Sequence, residues 1–268
     1  MAKSGAIRVG IGGWTFEPWR GSFYPDGLAQ KSELDYASRH VTAIEINGTF
    51  YGTQKPESFA KWHDETPDDF VFALKGPRFS TNRRVLAEAG PSIERFVGSG
   101  IVRLKAKLGP INWQMAATKA YQPDDFEAFL ALLPKEVEGI ALRHVVEVRH
   151  QSFMTPDFPA LLARYGVAAV FADEPDYPYF FDPTADFVYV RLQCAREEEP
   201  AGYPPQVLDT WARHAGVWTA GGMPEDLPRI DPKRRVNKTP RDVFVFMING
   251  FKPKAPFAAM ALIERLKG

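Results

Sequence analysis

The chain has 268 residues, 45% hydrophobic and 25% charged, with 33 basic against 33 acidic side chains. Zero net charge argues against indiscriminate nucleic-acid binding, and a single cysteine, Cys194, excludes an intrachain disulfide and a cysteine-based zinc site. No run approaches the ~20 apolar residues of a membrane span, and the opening MAKSGAIRVGIGGW lacks a signal-peptide apolar region, so a cytoplasmic protein without membrane contact is expected.

Short apolar runs alternate with helical segments along the whole chain. The first run, Ile7–Gly12, leads into GIGGWTFEPWRGSFYP, which has Thr15 where a dinucleotide fingerprint needs glycine and no helix directly behind it. Its glycines instead let Trp14 approach a pocket, with Trp19, Arg20, Phe23 and Tyr24 in a long loop over the rim. After a helix at Lys31–Arg39, Val41–Ile46 ends in EINGTFYG, which puts Glu45 and Asn47 on one strand face, followed by Tyr51. The helix Pro56–Glu65 leads to Phe70–Leu74 and the loop LKGPRFSTNRR, with Lys75 at the strand end and Arg78 beyond it. A helix over Ser92–Lys107 precedes the fourth run, Ile111–Met115, which carries Gln114.

Beyond the helix Asp124–Leu133, Val145–Val148 begins as a valine-rich strand and then places Glu147 and Arg149 two apart on one face, with His150 next. Polarity at strand ends that meet solvent is ordinary, but a carboxylate and a guanidinium among valines are better explained by a site. The helix Phe158–Tyr165 and the run Val167–Phe171 bring Asp173 and Glu174; Phe187–Leu192 carries Arg191. The helix Gln206–Trp218 and the basic stretch DPKRRVNKTPR, read as a solvated loop, separate it from Val243–Ile248, with Asn249 after it and a closing helix Pro256–Lys267.

Strand–helix alternation with near-continuous apolar strands predicts a parallel sheet covered by helices. Eight units in this length predict an α/β fold, a TIM (β/α)8 barrel, as one domain over residues 1–268 with a long insertion at about 195–242 between the seventh and eighth strands. Active sites of this fold lie at the C-terminal strand ends, where Trp14, Glu45, Asn47, Lys75, Gln114, Glu147, Arg149, Asp173, Arg191 and Asn249 are expected.

These motifs resemble those of a known family. Gly12–Trp14 with Trp19-Arg20-Gly21 and Phe23-Tyr24-Pro25 looks like the opening of the YecE-like family, also called domain of unknown function 72. EIN-x-TFY at 45–51, Trp62 with Thr66-Pro67, FALKGPR at 72–78, LGPINWQM at 108–115, VEVRHQSF at 146–153 and YVRL at 189–192 match its later motifs in order. The similarity spans about Ile7 to Leu262, implies a TIM barrel and supports LGPINWQM as the fourth strand. It implies no activity, because the family is named for lacking one. Its fold resembles the endonuclease IV and xylose isomerase barrels, whose metal-ligand histidines are not evident here. The chain departs from the family in having Gln193-Cys194 after YVRL where His-Gly is common, and Asn249 alone where Asn-Asn is frequent.

The expected function is that of an enzyme on a small anionic, phosphate-bearing ligand or nucleotide, with hydrolysis the favoured reaction. Lys75, Arg149 and Arg191 would bind the anion; Glu147 or Glu45, with Lys75, would carry the chemistry. Trp14 and Tyr51 would wall the pocket, with Asn47, Arg78, Gln114, His150, Asp173 and Asn249 as further binding groups. No metal or cofactor is expected: Glu45, Glu147, His150, Asp173 and Glu174 are the groups a divalent ion would use, but three neighbouring cations oppose it. Two other readings stay open. One is a non-catalytic binder of a nucleotide or single-stranded nucleic acid, stacking bases on Trp14, Trp19 and Tyr24. The other is a glycosidase using Glu45 and Glu147.

Overall fold

The computed structural model describes residues 5–268. Eight parallel strands close a barrel in chain order: β1 (Ile7–Gly12), β2 (Ala43–Ile46), β3 (Val71–Lys75), β4 (Leu108–Gln114), β5 (His144–Glu147), β6 (Ala168–Ala172), β7 (Phe187–Leu192) and β8 (Asp242–Met247), which pairs back onto β1. The predicted barrel in one domain is what forms. Among the described residues no helix is long and apolar enough to cross a membrane.

Two apolar layers follow from the alternation of side chains along each strand. Outward-facing Ile11, Ile44, Phe72, Ile111, Trp113, Val146, Phe171, Val190 and Val245 pack under the helices. Inward-facing Ala43, Ala73, Val145, Ala168 and Val170 face the bulkier Phe187, Tyr189, Phe244 and Phe246. Large rings from β7 and β8 thus fill the lumen opposite small side chains from β2, β3 and β6, so the barrel centre is packed, not hollow.

Strand ends shift from the sequence expectation by up to three residues, and two shifts affect the site. β3 runs through Lys75, so this lysine is a ladder residue and not a loop residue. β5 stops at Glu147, whose carbonyl accepts the Met115 amide, and Arg149 lies beyond the ladder.

The helix expected over Ser92–Lys107 is broken into Gly90–Val97 and a tighter turn at Ile101–Lys107. Gly100 between them has a φ of +95°, and a β-carbon there would lie 2.7 Å from Pro56, so the chain turns where only glycine fits. The helix expected over Lys31–Arg39 is a short turn, Gln30–Ser32, followed by Glu33–Ser38. A small antiparallel ribbon, Glu136–Val137 with Ile140–Ala141, was not expected; Glu138 and Gly139 at its tip both have positive φ, as a tight hairpin requires. Between β7 and β8 the chain carries the helix Pro205–Thr219 and then the basic stretch.

At the N-terminal end of the barrel Arg143 donates from Nη1 to Asp242 Oδ2 at 2.8 Å, its guanidinium 4.8 Å from the Phe244 ring centre. The Ala6 amide donates to Asp242 Oδ1 at 3.0 Å.

Candidate functional site

At the C-terminal end the lumen turns from apolar to ionic. One step beyond the alanine and valine layer, the inward positions are Glu45 of β2, Lys75 of β3, Asn112 of β4, Glu147 of β5 and Arg191 of β7, all buried, with Tyr189 beneath them. Arg191 is the hub. Its Nη1 donates to Glu147 Oε2 at 2.5 Å and its Nη2 to Glu45 Oε1 at 3.0 Å. Tyr189 donates its hydroxyl to Glu45 Oε2 at 2.6 Å, and Asn112 Nδ2 lies 3.2 Å from Glu147 Oε2 and 3.4 Å from Glu45 Oε2. Arg149 reaches back from beyond β5 and donates to Glu147 Oε1 from Nε and Nη2 at 2.8 and 2.6 Å. Lys75 Nζ donates to Gln114 Oε1 at 2.5 Å and stands 3.6 Å from Glu147 Oε2.

Three cations therefore meet two carboxylates in a nearly dry environment. Burial alone would raise both carboxyls, yet the charges of Arg191 and Lys75, with Arg149 on Glu147 and Tyr189 on Glu45, hold both below the ordinary carboxylate range. Arg191 loses hydration on burial, but the two carboxylates more than restore its preference for the charged form. Lys75 is the exception. Burial and the nearby Arg191 charge outweigh Glu147 and Glu45 and bring its ammonium down to about 8. Two hydrogen-bonding atoms in this cluster, Asn112 Oδ1 and Arg191 Nε, are buried without a partner.

The rim above the cluster is aromatic and basic. Gly48–Tyr51 follows β2 and Arg78–Thr81 follows β3; Thr49 Oγ1 ties the first turn to the Lys75 carbonyl at 2.7 Å. Arg78 lies between exposed rings, 5.8 Å from the Tyr51 centre and 5.5 Å from that of Phe79. On the opposite side Arg149 rests 4.7 Å from the Tyr177 ring centre.

The family model "Protein of unknown function DUF72" matches residues 8–268. The chain belongs to the DUF72 family. Among curated relatives, the UPF0759 protein YecE of Escherichia coli (strain K12) is 30% identical over 150 residues, 55% of this chain and 50% of that protein. The UPF0759 protein YunF of Bacillus subtilis (strain 168) is 33% identical over 69 residues, 26% of this chain and 23% of that protein. The match to YecE spans about half of that protein's length. Among solved structures, a DUF72 family protein from Thermotoga maritima MSB8 superposes with a TM-score of 0.75 at 23% identity, over 98% of this chain and 100% of that one. SacUVDE follows the same fold with a TM-score of 0.57 at 10% identity, over 97% of this chain and 98% of that one.

Within this DUF72 barrel the expected residues separate into groups. Glu45, Lys75, Gln114, Glu147, Arg149 and Arg191 converge as expected, and Tyr51 and Arg78 stand on the rim. Trp14 does not stand beside this cluster. Its ring packs 5.2 Å from Trp62 and 6.4 Å from outward-facing Phe72, because Gly13, with a φ of +77°, turns the chain out of the strand's alternation. Asn47 lies past the end of β2, its amide against Gly12. His150 turns away, its Nδ1 taking the Ser152 amide and facing the Ser152 hydroxyl at 2.8 Å. Asn249 is exposed beyond β8.

Asp173 belongs to a different group, where it accepts from the Gln193 amide at 2.5 Å and the Tyr203 hydroxyl at 3.2 Å. Burial pushes its carboxyl up to about 6 against those two hydrogen bonds. Burial and the adjacent Asp173 charge push the Cys194 thiol up to about 11, so it is not a thiolate at neutral pH. Trp19 and Tyr24 are buried, Trp19 Nε1 donating to the Lys252 carbonyl at 3.2 Å, and neither is free to stack on a base. Among the described residues no three His, Cys, Asp or Glu side chains gather as a metal-holding group. Asn112 and Tyr189, which the sequence reading passed over, share a strand face with Gln114 and Arg191 two residues on, and that spacing was the available signal.

Proposed function

We propose that this protein is an enzyme acting on a small phosphate-bearing substrate at the C-terminal mouth of the barrel, with hydrolysis as the reaction. The observation that carries the reading is the placement of Lys75, an amine buried at the barrel end with Nζ on Gln114 Oε1 and 3.6 Å from Glu147 Oε2, where burial and the Arg191 charge draw its ammonium down to about 8. A general acid or base works best with a pKa near the operating pH, and in this cluster Lys75 alone meets that condition. The roles first assigned to the carboxylates shift accordingly. Glu45 and Glu147 stay ionised and are weak bases, so they set the field around Lys75 and do not carry protons.

In this reading neutral Lys75 accepts a proton from the attacking water, which bonds to phosphorus as the ester oxygen leaves. Gln114 Oε1 fixes the amine. Arg191 has both terminal nitrogens committed to Glu45 and Glu147, so it is a scaffold charge. The anion instead meets Arg149, which retains an exposed edge, and Arg78 on the rim. With Lys75 neutral the buried cluster is balanced, so the pull on a negative substrate comes from Arg78 on the rim. Tyr51 and Phe79 beside Arg78 offer flat surfaces that suit a nucleotide better than a bare phosphate. A glycosidase would need one carboxyl protonated, which the arginines around both oppose.

The test is a turnover screen over phosphate monoesters and nucleotides, run on wild type and Lys75→Met. The reading predicts release of phosphate by the wild type, with kcat rising through about pH 8, and a loss of at least about 100-fold in the variant at unchanged fold. A wild type that binds nucleotides with no turnover, and a Lys75→Met variant that binds equally well, would make this a binding protein instead.

A further inference from the structure

The basic stretch at 231–241 is not a solvated loop throughout. It closes a cavity of about 320 Å3 at the opposite, N-terminal end of the barrel, beside the starts of β6, β7 and β8. Arg234, Arg235 and Arg241 line it, with Asn237, Thr239 and the exposed Asp186.

Arg241 is the unusual member. It is 2% exposed, and its guanidinium donates only to backbone carbonyls, Gly222 at 3.0 Å and Asn237. No carboxylate among the described residues pairs with it, and residues 1–4, MAKS, contain none. Burial alone acts on it, lowering its hold on the proton with no acidic neighbour in opposition. An isolated buried charge is costly unless paired, and arginine stays protonated, so the site carries an uncompensated positive charge. Arg234 also reaches a carbonyl, Nη2 donating to that of Pro183 at 2.6 Å, and its buried Nε has no partner, although Asp182 and Asp231 act on its charge. The nearby carboxylate Asp182 is occupied, accepting from Arg229 Nε at 3.3 Å and from the Ile230 amide at 2.6 Å.

We propose that this cavity binds a phosphate group, held by Arg234 and Arg235 in the field of the buried Arg241 charge and independent of the mouth at the other end. Planar guanidinium forks match phosphate oxygens in pairs, and a bound dianion neutralises the charge that folding leaves buried. The apolar part of the wall, Ala163, Ala185 and Val236, leaves room for a group attached to the phosphate.

Thermal unfolding tests this at fixed ionic strength with inorganic phosphate and, separately, adenosine 5′-monophosphate. For a millimolar site, 10 mM phosphate should raise the Tm by about 3 °C in wild type. Arg149→Ala removes the anion contact at the mouth, so it is the background for the test, and a rise of about 2–3 °C should remain in it. When Arg234→Gln and Arg235→Gln, changes to two side chains that are not fully buried, are added to Arg149→Ala, the rise should fall below about 1 °C. In that background a larger response to the nucleotide that vanishes with the two added changes identifies a nucleoside phosphate as the ligand; equal responses that vanish there identify free phosphate. No response in Arg149→Ala, or a response surviving intact after the two added changes, overturns the proposal.

Discussion

The two ends of the barrel lumen solve the same problem differently. At the N-terminal end one ion pair, Arg143 with Asp242, lies at the edge of solvent, its side chains 31% and 26% exposed, and aromatic rings support the guanidinium. At the C-terminal end five charged groups interlock, Glu45, Lys75, Glu147 and Arg191 being almost fully shielded. The first arrangement seals a rim at small cost, since partly hydrated pairs contribute ~0–1 kcal/mol. The second desolvates several ions, which packing alone does not require; apolar residues of similar volume are often as stable or more so. A cluster that stability does not ask for is where function is to be sought.

The largest expected effect breaks the mouth at its hub. Arg191→Met leaves Glu45 and Glu147 buried with one shared counter-charge fewer, and should destabilise by about 3–5 kcal/mol; Asp242→Asn, at the other end, should cost below about 1 kcal/mol. Urea denaturation measures both. Equal losses would mean the two ends are energetically alike.

Next comes a pH effect confined to the mouth. Lys75 titrates at about 8 in the folded chain and near 10.4 when unfolded. Between those values the native state binds fewer protons, so stability rises with pH. From pH 8 to 10 the wild type should gain about 2–3 kcal/mol relative to Lys75→Met. Parallel profiles for the two proteins would contradict the buried, cation-facing environment.

A smaller effect belongs to Asp173, outside the cluster. Its folded value of about 6 lies above the unfolded one, so the native state binds more protons between ~3.9 and 6 and stability falls as pH rises across that window. Asp173→Asn removes the penalty and keeps an acceptor for the Gln193 amide, and should be up to about 2 kcal/mol more stable than wild type at pH 8. A variant less stable than wild type there would show that the carboxylate charge is needed by Gln193 and Tyr203.

The barrel and the core of the mouth were readable because strands in this fold obey a strict rule: period two, with inward residues at the C-terminal ends forming the site. Glu45, Lys75, Glu147 and Arg191 obey it. Asn112 and Tyr189 obey it too, but lie inside runs read as apolar filling. Misplacements occur where the rule stops applying. Trp14 follows a left-handed glycine, Asn47 follows the last ladder residue of β2, and Asn249 lies beyond β8. Trp19 and Tyr24 looked like a stacking surface because burial of a loop by its own rings leaves no periodic signal; Tyr24 donates its hydroxyl to the Trp14 carbonyl at 2.5 Å. The helix break at Gly98–Gly100 was visible as two glycines, but the close approach of Pro56 that makes one of them necessary is a long-range contact.

The central claim is that the mouth holds Lys75 as a titrating amine while its partners stay charged. The most direct measurement is the pKa of Lys75 itself, from the Cε chemical shift of selectively labelled lysine, assigned with Lys75→Met. The account predicts about 8 in the wild type. It predicts a lower value in Glu147→Gln, which removes a carboxylate that favours the ammonium. A wild-type value near that of free lysine, ~10.4, unmoved by Glu147→Gln, would contradict it.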